Sequence, residues 1–223
     1  MNVLLVILIT IYLPIAVTSG GNVGGSSATV TVRPNTSTVY NNVGGHTILG
    51  EIHNGTGVTV GLLRVTATTP AGQSADTMVQ VGRLSPGETG CFAIRTQSPT
   101  PWLDAALSVT YMDASSDKPT GLTVEEQHDG FDATGQYVVT GSIRNTSSVT
   151  VTAVYAVVTL YDATGRVIGC NGASALRLLQ PGDTSSPRLL PPGTVGDFRN
   201  VSPFAVSDVA RYTIGLTAEV ARR

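Results

Sequence analysis

Gly50-Glu51-Ile52-His53-Asn54-Gly55-Thr56-Gly57-Val58-Thr59-Val60 returns 91 residues later as Gly141-Ser142-Ile143-Arg144-Asn145-Thr146-Ser147-Ser148-Val149-Thr150-Val151. A pattern repeated at that distance marks a duplicated folding unit, so whatever fold one copy adopts the other must also fit. The likeness spreads outward from this core. Ala71-Gly72 answers Thr164-Gly165, and Leu84-Ser85-Pro86-Gly87-Glu88-Thr89 answers Leu179-Gln180-Pro181-Gly182-Asp183-Thr184. Upstream, Ala28-Thr29-Val30-Thr31-Val32 parallels Gly121-Leu122-Thr123-Val124-Glu125. These matches place the first unit at residues 28–114 and the second at 120–221, with 115–119 (Ser-Ser-Asp-Lys-Pro) as the linker.

Within each unit the apolar runs are short, β-branched and bounded by Gly, Asn, Asp and Pro, which is strand chemistry. Val149 to Tyr161 is the longest run, with apolar groups on both faces of its second half, as in a strand entering the space between two sheets. Asp162-Ala163-Thr164-Gly165-Arg166 then supplies a hairpin turn into Val167. No segment carries a helical stripe of apolar residues. The expectation is an all-β chain of two tandem immunoglobulin-like β-sandwich domains, each of about seven strands. Pro187, Pro191, Pro192 and Gly193 predict an irregular insertion over Ser185 to Asn200, without a counterpart of equal length in the first unit.

The front of the chain carries an address. Val3 to Val17 is one apolar run, too short for a bilayer helix of about 20 residues and followed by Thr18-Ser19-Gly20-Gly21. Residues 1–19 therefore read as a signal peptide ending at Ser19 or, since no Lys or Arg precedes the run, as an uncleaved anchor. Residues 20–27 read as a flexible Gly/Ser segment. The rest is sparsely charged, 13% overall with a formal net charge of −2 and Lys118 as its lone lysine. That excludes the basic footprint of a nucleic-acid binder and suits an extracytoplasmic, secreted or cell-surface protein.

Gly141-x-Ile143-x-Asn145-Thr146-Ser147, Val158-Thr159-Leu160-Tyr161-Asp162-Ala163-Thr164-Gly165-Arg166-Val167 and Leu179-Gln180-Pro181-Gly182-Asp183 together resemble the FxLYD domain family of exported prokaryotic proteins. Val158 stands where the family has its namesake Phe, and the first unit has lost the Leu-Tyr-Asp signature at Thr66-Ala67-Thr68-Thr69-Pro70. The resemblance implies an extracytoplasmic β-sandwich module without a general enzymatic activity, and it brings no catalytic residues.

Sites are few. The two cysteines, Cys91 and Cys170, occupy non-equivalent places in the two units. They either form an interdomain disulfide, stay as isolated thiols, or pair between molecules, and the thiol reading is favoured because the bridge must cross the domain boundary. N-x-[ST] triplets make Asn35, Asn54, Asn145 and Asn200 glycan acceptors in a host that glycosylates exported proteins. At Asn54 and Asn145 the favoured role is turn formation. Trp102, between Pro101 and Leu103, is read as a plug over the first core, with contact to sugar or a partner protein as the alternative. Glu125 to Asp132 is the densest set of metal-capable groups but lacks calcium-loop or zinc spacing, and reads as a solvated loop. His46 and His53 share a face only through a bulge at Gly50. Neither a nucleophile elbow, a phosphate loop nor a metalloprotease helix is present. The sequence thus points to a non-enzyme without cofactor or metal, binding an extracellular protein or glycan. Its rivals are a surface-fibre subunit that donates the strand Ala28 to Val32, and an accessory module of an extracellular carbohydrate-active enzyme.

Overall fold

The computed structural model describes residues 29–41, 45–114, 118–176, 188–203 and 206–221. The signal or anchor segment, the Gly/Ser stretch, linker residues 115–117 and the Leu179 to Thr184 copy lie outside the described residues.

Among the described residues every regular element is a strand. The first unit contains β1 (Val30–Val32), β2 (Ser37–Asn41), β3 (Gly45–Asn54), β4 (Val60–Thr68), β5 (Ser74–Met78), β6 (Arg83–Leu84), β7 (Thr89–Arg95) and β8 (Ala106–Asp113). The second contains β9 (Leu122–Phe131), β10 (Tyr137–Asn145), β11 (Val151–Tyr161), β12 (Val167–Ser174), β13 (Val195–Val201) and β14 (Arg211–Val220). All pairings are antiparallel. In the first unit β3 lies between β7 and the successive strands β1 and β2, while β4 lies between β8 and the successive strands β5 and β6. The second repeats this plan as β13-β10-β9 and β12-β11-β14. The two sheets of each unit enclose apolar rows such as Ile48, Ile52, Leu63, Val65, Phe92 and Leu107, all 2% exposed or less. The chain is therefore two β-sandwich units. Eight and six strands, rather than seven each, result because β9 runs unbroken where β1 and β2 divide the same task and because the counterpart of β6 is only the isolated bridge Val151↔Leu190.

The duplicated words acquire distinct duties. Gly50 faces Phe92 and Gly141 faces Phe198 across their ladders. A Cβ on Gly50 would sit 2.6 Å from Phe92 Cζ, and one on Gly141 2.9 Å from Phe198 Cε1 and 2.2 Å from the Glu126 carbonyl oxygen. Each ring lies over the bare backbone opposite, a place only glycine leaves open. Ile52 and Ile143 then fill the cores at 0% exposure. Beyond the next Asn, both β4 and β11 break register against their partners, and Leu62 and Ala153, again 91 apart, adopt the same left-handed φ of 49°. Since it occurs in both copies, this bulge belongs to the fold, where it re-aims the strand into the sandwich.

Two expectations need correction. The supposed insertion contains β13, which pairs along β10 from Val138↔Val201 to Arg144↔Val195. The counterpart of Leu84-Ser85-Pro86-Gly87-Glu88 is accordingly Leu190-Pro191-Pro192-Gly193-Thr194. Leu84 and Leu190 are both fully buried, Gly87 and Gly193 have φ of 79° and 77°, and their N–H groups donate to the Asn54 and Asn145 carbonyls at 2.8 and 2.7 Å. The second correction concerns β11. Its later half is buried on both faces because one faces its own core through Val158 and Leu160, while Val157 and Tyr161 turn toward the first unit.

Candidate functional site

The units meet where β12 lies against β2, β3 and β7. Cys91 on β7 and Cys170 on β12 form a disulfide there, with Cα atoms 5.9 Å apart. The favoured thiol reading is thus overturned. The two strands lie side by side across the unit boundary, which spacing along the chain does not reveal. Beside the bridge, the Val167 N–H donates to the Asn35 carbonyl at 2.9 Å and the Ser37 hydroxyl donates to the Val167 carbonyl.

Glu51 stands at the centre of this contact. Its neighbours Gly50 and Ile52 serve the first unit's interior, and strand alternation turns Glu51 outward, toward the second unit. It is only 5% exposed, and a buried carboxylate is costly unless hydrogen-bonded. The Tyr161 hydroxyl donates to its Oε1 at 2.5 Å, and the Asn35 amide donates to its Oε2. Burial, with the carboxylate as hydrogen-bond partner, pushes the Tyr161 phenol above its ordinary value, so it stays a donor. The Arg211 guanidinium stacks 3.6 Å from the centre of the Tyr161 ring, a cation–π contact.

These residues wall a cleft of about 480 Å³ between the units. Arg33 and Arg211 are exposed on its lining, and among the described residues neither makes a salt bridge. The Thr89, Thr159 and Thr213 side chains add hydroxyls. Asn35 Oδ1 is buried without a hydrogen-bond partner in the protein, an acceptor facing no donor of its own chain. The cleft therefore offers two cations, the Glu51 carboxylate already held by Tyr161 and Asn35, hydroxyls and one spare acceptor on a cross-linked frame. That set suits a small group bearing negative charge together with a hydrogen-bond donor.

The residues expected to act are elsewhere or otherwise engaged. Asn54 and Asn145 are 0% exposed, and the Asn54 Nδ2 donates to the Val58 and Leu84 carbonyls, both at 2.9 Å. Its Oδ1 accepts from the Thr56 N–H and hydroxyl. Asn145 repeats the pattern with Val149, Leu190 and Ser147. These are turn-forming residues, and a glycan on either would displace a hydrogen bond in a site with no room for it. Asn200, 4% exposed, donates to the Asn171 carbonyl at 2.8 Å, and the Asn35 amide is committed to Glu51. In the folded chain none of the four presents a free amide to glycosylate.

Trp102 packs against the core with its indole nitrogen buried, so it is the plug and not an exposed ligand platform. The register of β3 on β7 passes Gly50 without a bulge, leaving His46 beside the Ser98 carbonyl and His53 beside Thr89. Glu125 to Asp132 is not a loop. Its residues through Phe131 belong to β9, and its charges point into solvent or pair locally, as Glu125 does with Arg144. Asp132 opens a hairpin turn, Asp132-Ala133-Thr134-Gly135, made as Asp162-Ala163-Thr164-Gly165 is made. Each Asp Oδ1 accepts from the Thr N–H at 2.9 Å and from the Thr hydroxyl. That shared Asp-Ala-Thr-Gly was readable in the sequence. Glu51 and Arg211 had no such signal beyond an acid in one copy of the motif where the other has Ser142. No protein-family model and no curated protein matches this chain.

Proposed function

We propose that this protein is an exported, non-catalytic interaction module that recognises an acidic group on an extracellular protein or glycan in the cleft between its units. The observation that carries this reading is the convergence of Arg33 and Arg211, both without an acidic partner among the described residues, on one disulfide-braced cleft. The bridge itself fits an oxidising compartment, since cytosolic thiols are kept reduced. Among the described residues no helix is long and apolar enough to cross a membrane, and no group of three or more His, Cys, Asp or Glu could hold a metal ion. A rigid frame favours recognition because little ordering entropy is lost when a ligand seats.

The rivals stand less well. Val30 to Val32 is already registered on β3, from Val30↔Asn54 to Val32↔Ile52, so the strand expected to be donated to a fibre neighbour is in use within its own sheet. A carbohydrate-accessory role would work through the cleft and not through Trp102. The test is calorimetric titration of the full chain with oligogalacturonate, a neutral galactose oligomer and an acidic peptide. One acidic probe should bind, and Arg33→Ala should weaken it at least tenfold while leaving the melting temperature unchanged. Silence from both acidic probes, or binding indifferent to Arg33→Ala, overturns the reading.

A further inference from the structure

The two sheets of the second unit have four edge strands, and three are guarded. β9 carries Glu125, Glu126, His128 and Asp129 and a register shift opposite Gly141 and Ile143. β12 is covered by the first unit, and β13 is tied to β12 through Asn171 and Asn200. Such devices stop strand edges from recruiting other chains.

β14 is the least guarded: no charge stands in its middle, although its ladder with β11 also shifts register between Thr152 and Tyr155 and Gly215 lies against Val81 of the first unit. The strand pairs with β11 on one side, and among the described residues its other edge pairs with no strand. Its charges stand only near the ends, at Arg211 and Glu219, with Tyr212 to Ala218 uncharged between them. Ile214 and Leu216 sit opposite Val158 and Ala156 and so face the core, yet they remain half-buried where Val158 and Ala156 are 2% and 0% exposed. A cleft of about 530 Å³ runs beside them, bordered also by Leu84, Lys118 and Leu122.

The strand is also nearly its own complement. Read both ways from Gly215, Ile214 answers Leu216, Thr213 answers Thr217 and Arg211 answers Glu219, with Tyr212 against Ala218 as the one unlike pair. In an antiparallel pair centred on Gly215, each residue meets its counterpart from the other chain on the same face, because the side-chain period is two. We propose that the free edge of β14 pairs with β14 of a second copy about a twofold axis through Gly215. Arg211 then faces Glu219 of the second copy twice over, and two β12-β11-β14 sheets become one continuous six-stranded sheet. The interface is isologous and closes at the dimer, so it does not propagate into a fibre.

Light scattering after size exclusion on the full chain, across a wide concentration range, reads the mass directly. A concentration-dependent dimer is expected. Glu219→Arg sets Arg against Arg at both ends and should raise the dimer dissociation constant about tenfold or more. Arg211→Glu with Glu219→Arg restores opposite charges and should bring it back to within about threefold of the parent. Amide exchange along Tyr212 to Ala218 should slow on dimerisation in parent and double variant alike, which separates lost pairing from lost folding. A chain that stays monomeric at every concentration overturns the proposal. So does a dimer indifferent to Glu219→Arg, or one that the double exchange fails to restore. Arg33→Ala, which probes the acidic-ligand reading, should leave the mass unchanged, so the two readings fail separately.

Discussion

Asn54 and Asn145 show how much a single side chain can hold. Each spans a turn with its amide nitrogen and carbonyl oxygen both engaged, so nothing on the side chain is left for other chemistry. Replacing Asn145 by Ala removes four hydrogen bonds, leaving the Leu190 carbonyl only the Val151 N–H and the Ser147 N–H without its acceptor, and should cost about 3 kcal/mol. That corresponds to a fall in melting temperature of about 6–12 °C for a chain of this size. Scanning calorimetry of Asn145→Ala and Asn54→Ala checks it, and equal losses are expected because the two networks match bond for bond. Tyr161 makes a different prediction. Its folded phenol titrates above the ordinary value near 10, so the unfolded chain loses that proton first as pH rises. Its contribution is intact below about pH 10 and is lost as pH climbs through the folded value. Denaturant unfolding from neutral to strongly alkaline pH should show a shallower alkaline decline for Tyr161→Phe than for the parent. The variant should also be weaker at neutral pH, because Glu51 Oε1 loses its donor.

At the scale of elements, local chemistry was legible where one residue dictates one conformation. The Asp-Ala-Thr-Gly turn is such a case, whereas the phenylalanine opposite each glycine comes from a strand distant along the chain. Gly141→Ala drives a methyl into the Glu126 carbonyl and the Phe198 ring, and should cost about 1–3 kcal/mol as overpacking. Gly82→Ala, whose Cβ would meet nothing within 4 Å, serves as the control. Denaturation midpoints of the two variants should separate clearly. Reading failed where the signal lay in partners distant along the chain. β13, Val-Gly-Asp-Phe-Arg-Asn-Val, follows Pro191-Pro192-Gly193 and looks like loop until β10 pairs with it. Leu179-Gln180-Pro181-Gly182 and Leu190-Pro191-Pro192-Gly193 share the Leu-x-Pro-Gly spelling, and only the Gly193 bond to the Asn145 carbonyl shows which one answers Leu84-Ser85-Pro86-Gly87. Glu125 to Phe131 of β9 reads as loop because this polar run belongs to an exposed edge, where strand patterning weakens.

For the molecule as a whole, the Cys91–Cys170 bridge decides how independent the units are. Its sequence separation of 79 corresponds to about 4–5 kcal/mol of loop-closure entropy removed from the unfolded chain. Cys91→Ser with Cys170→Ser should therefore lower the unfolding midpoint substantially. Alkylation of the native parent without reductant should label no thiol. The double variant should also loosen the contact between units, so that limited proteolysis near residues 115–119 releases separate halves more readily than in the parent.

The sequence alone determined that the chain is all strand, that one module was copied, and which residues make its turns, because backbone preference and side-chain alternation act over a few neighbours. Tertiary structure decided the rest. It brought Cys91 to Cys170, buried Glu51 beneath Tyr161, gathered two arginines around one cleft and, among the described residues, left β14 without a second strand partner. Each of these depends on how two folded surfaces meet, and that is set by packing between residues 79 or more positions apart along the chain.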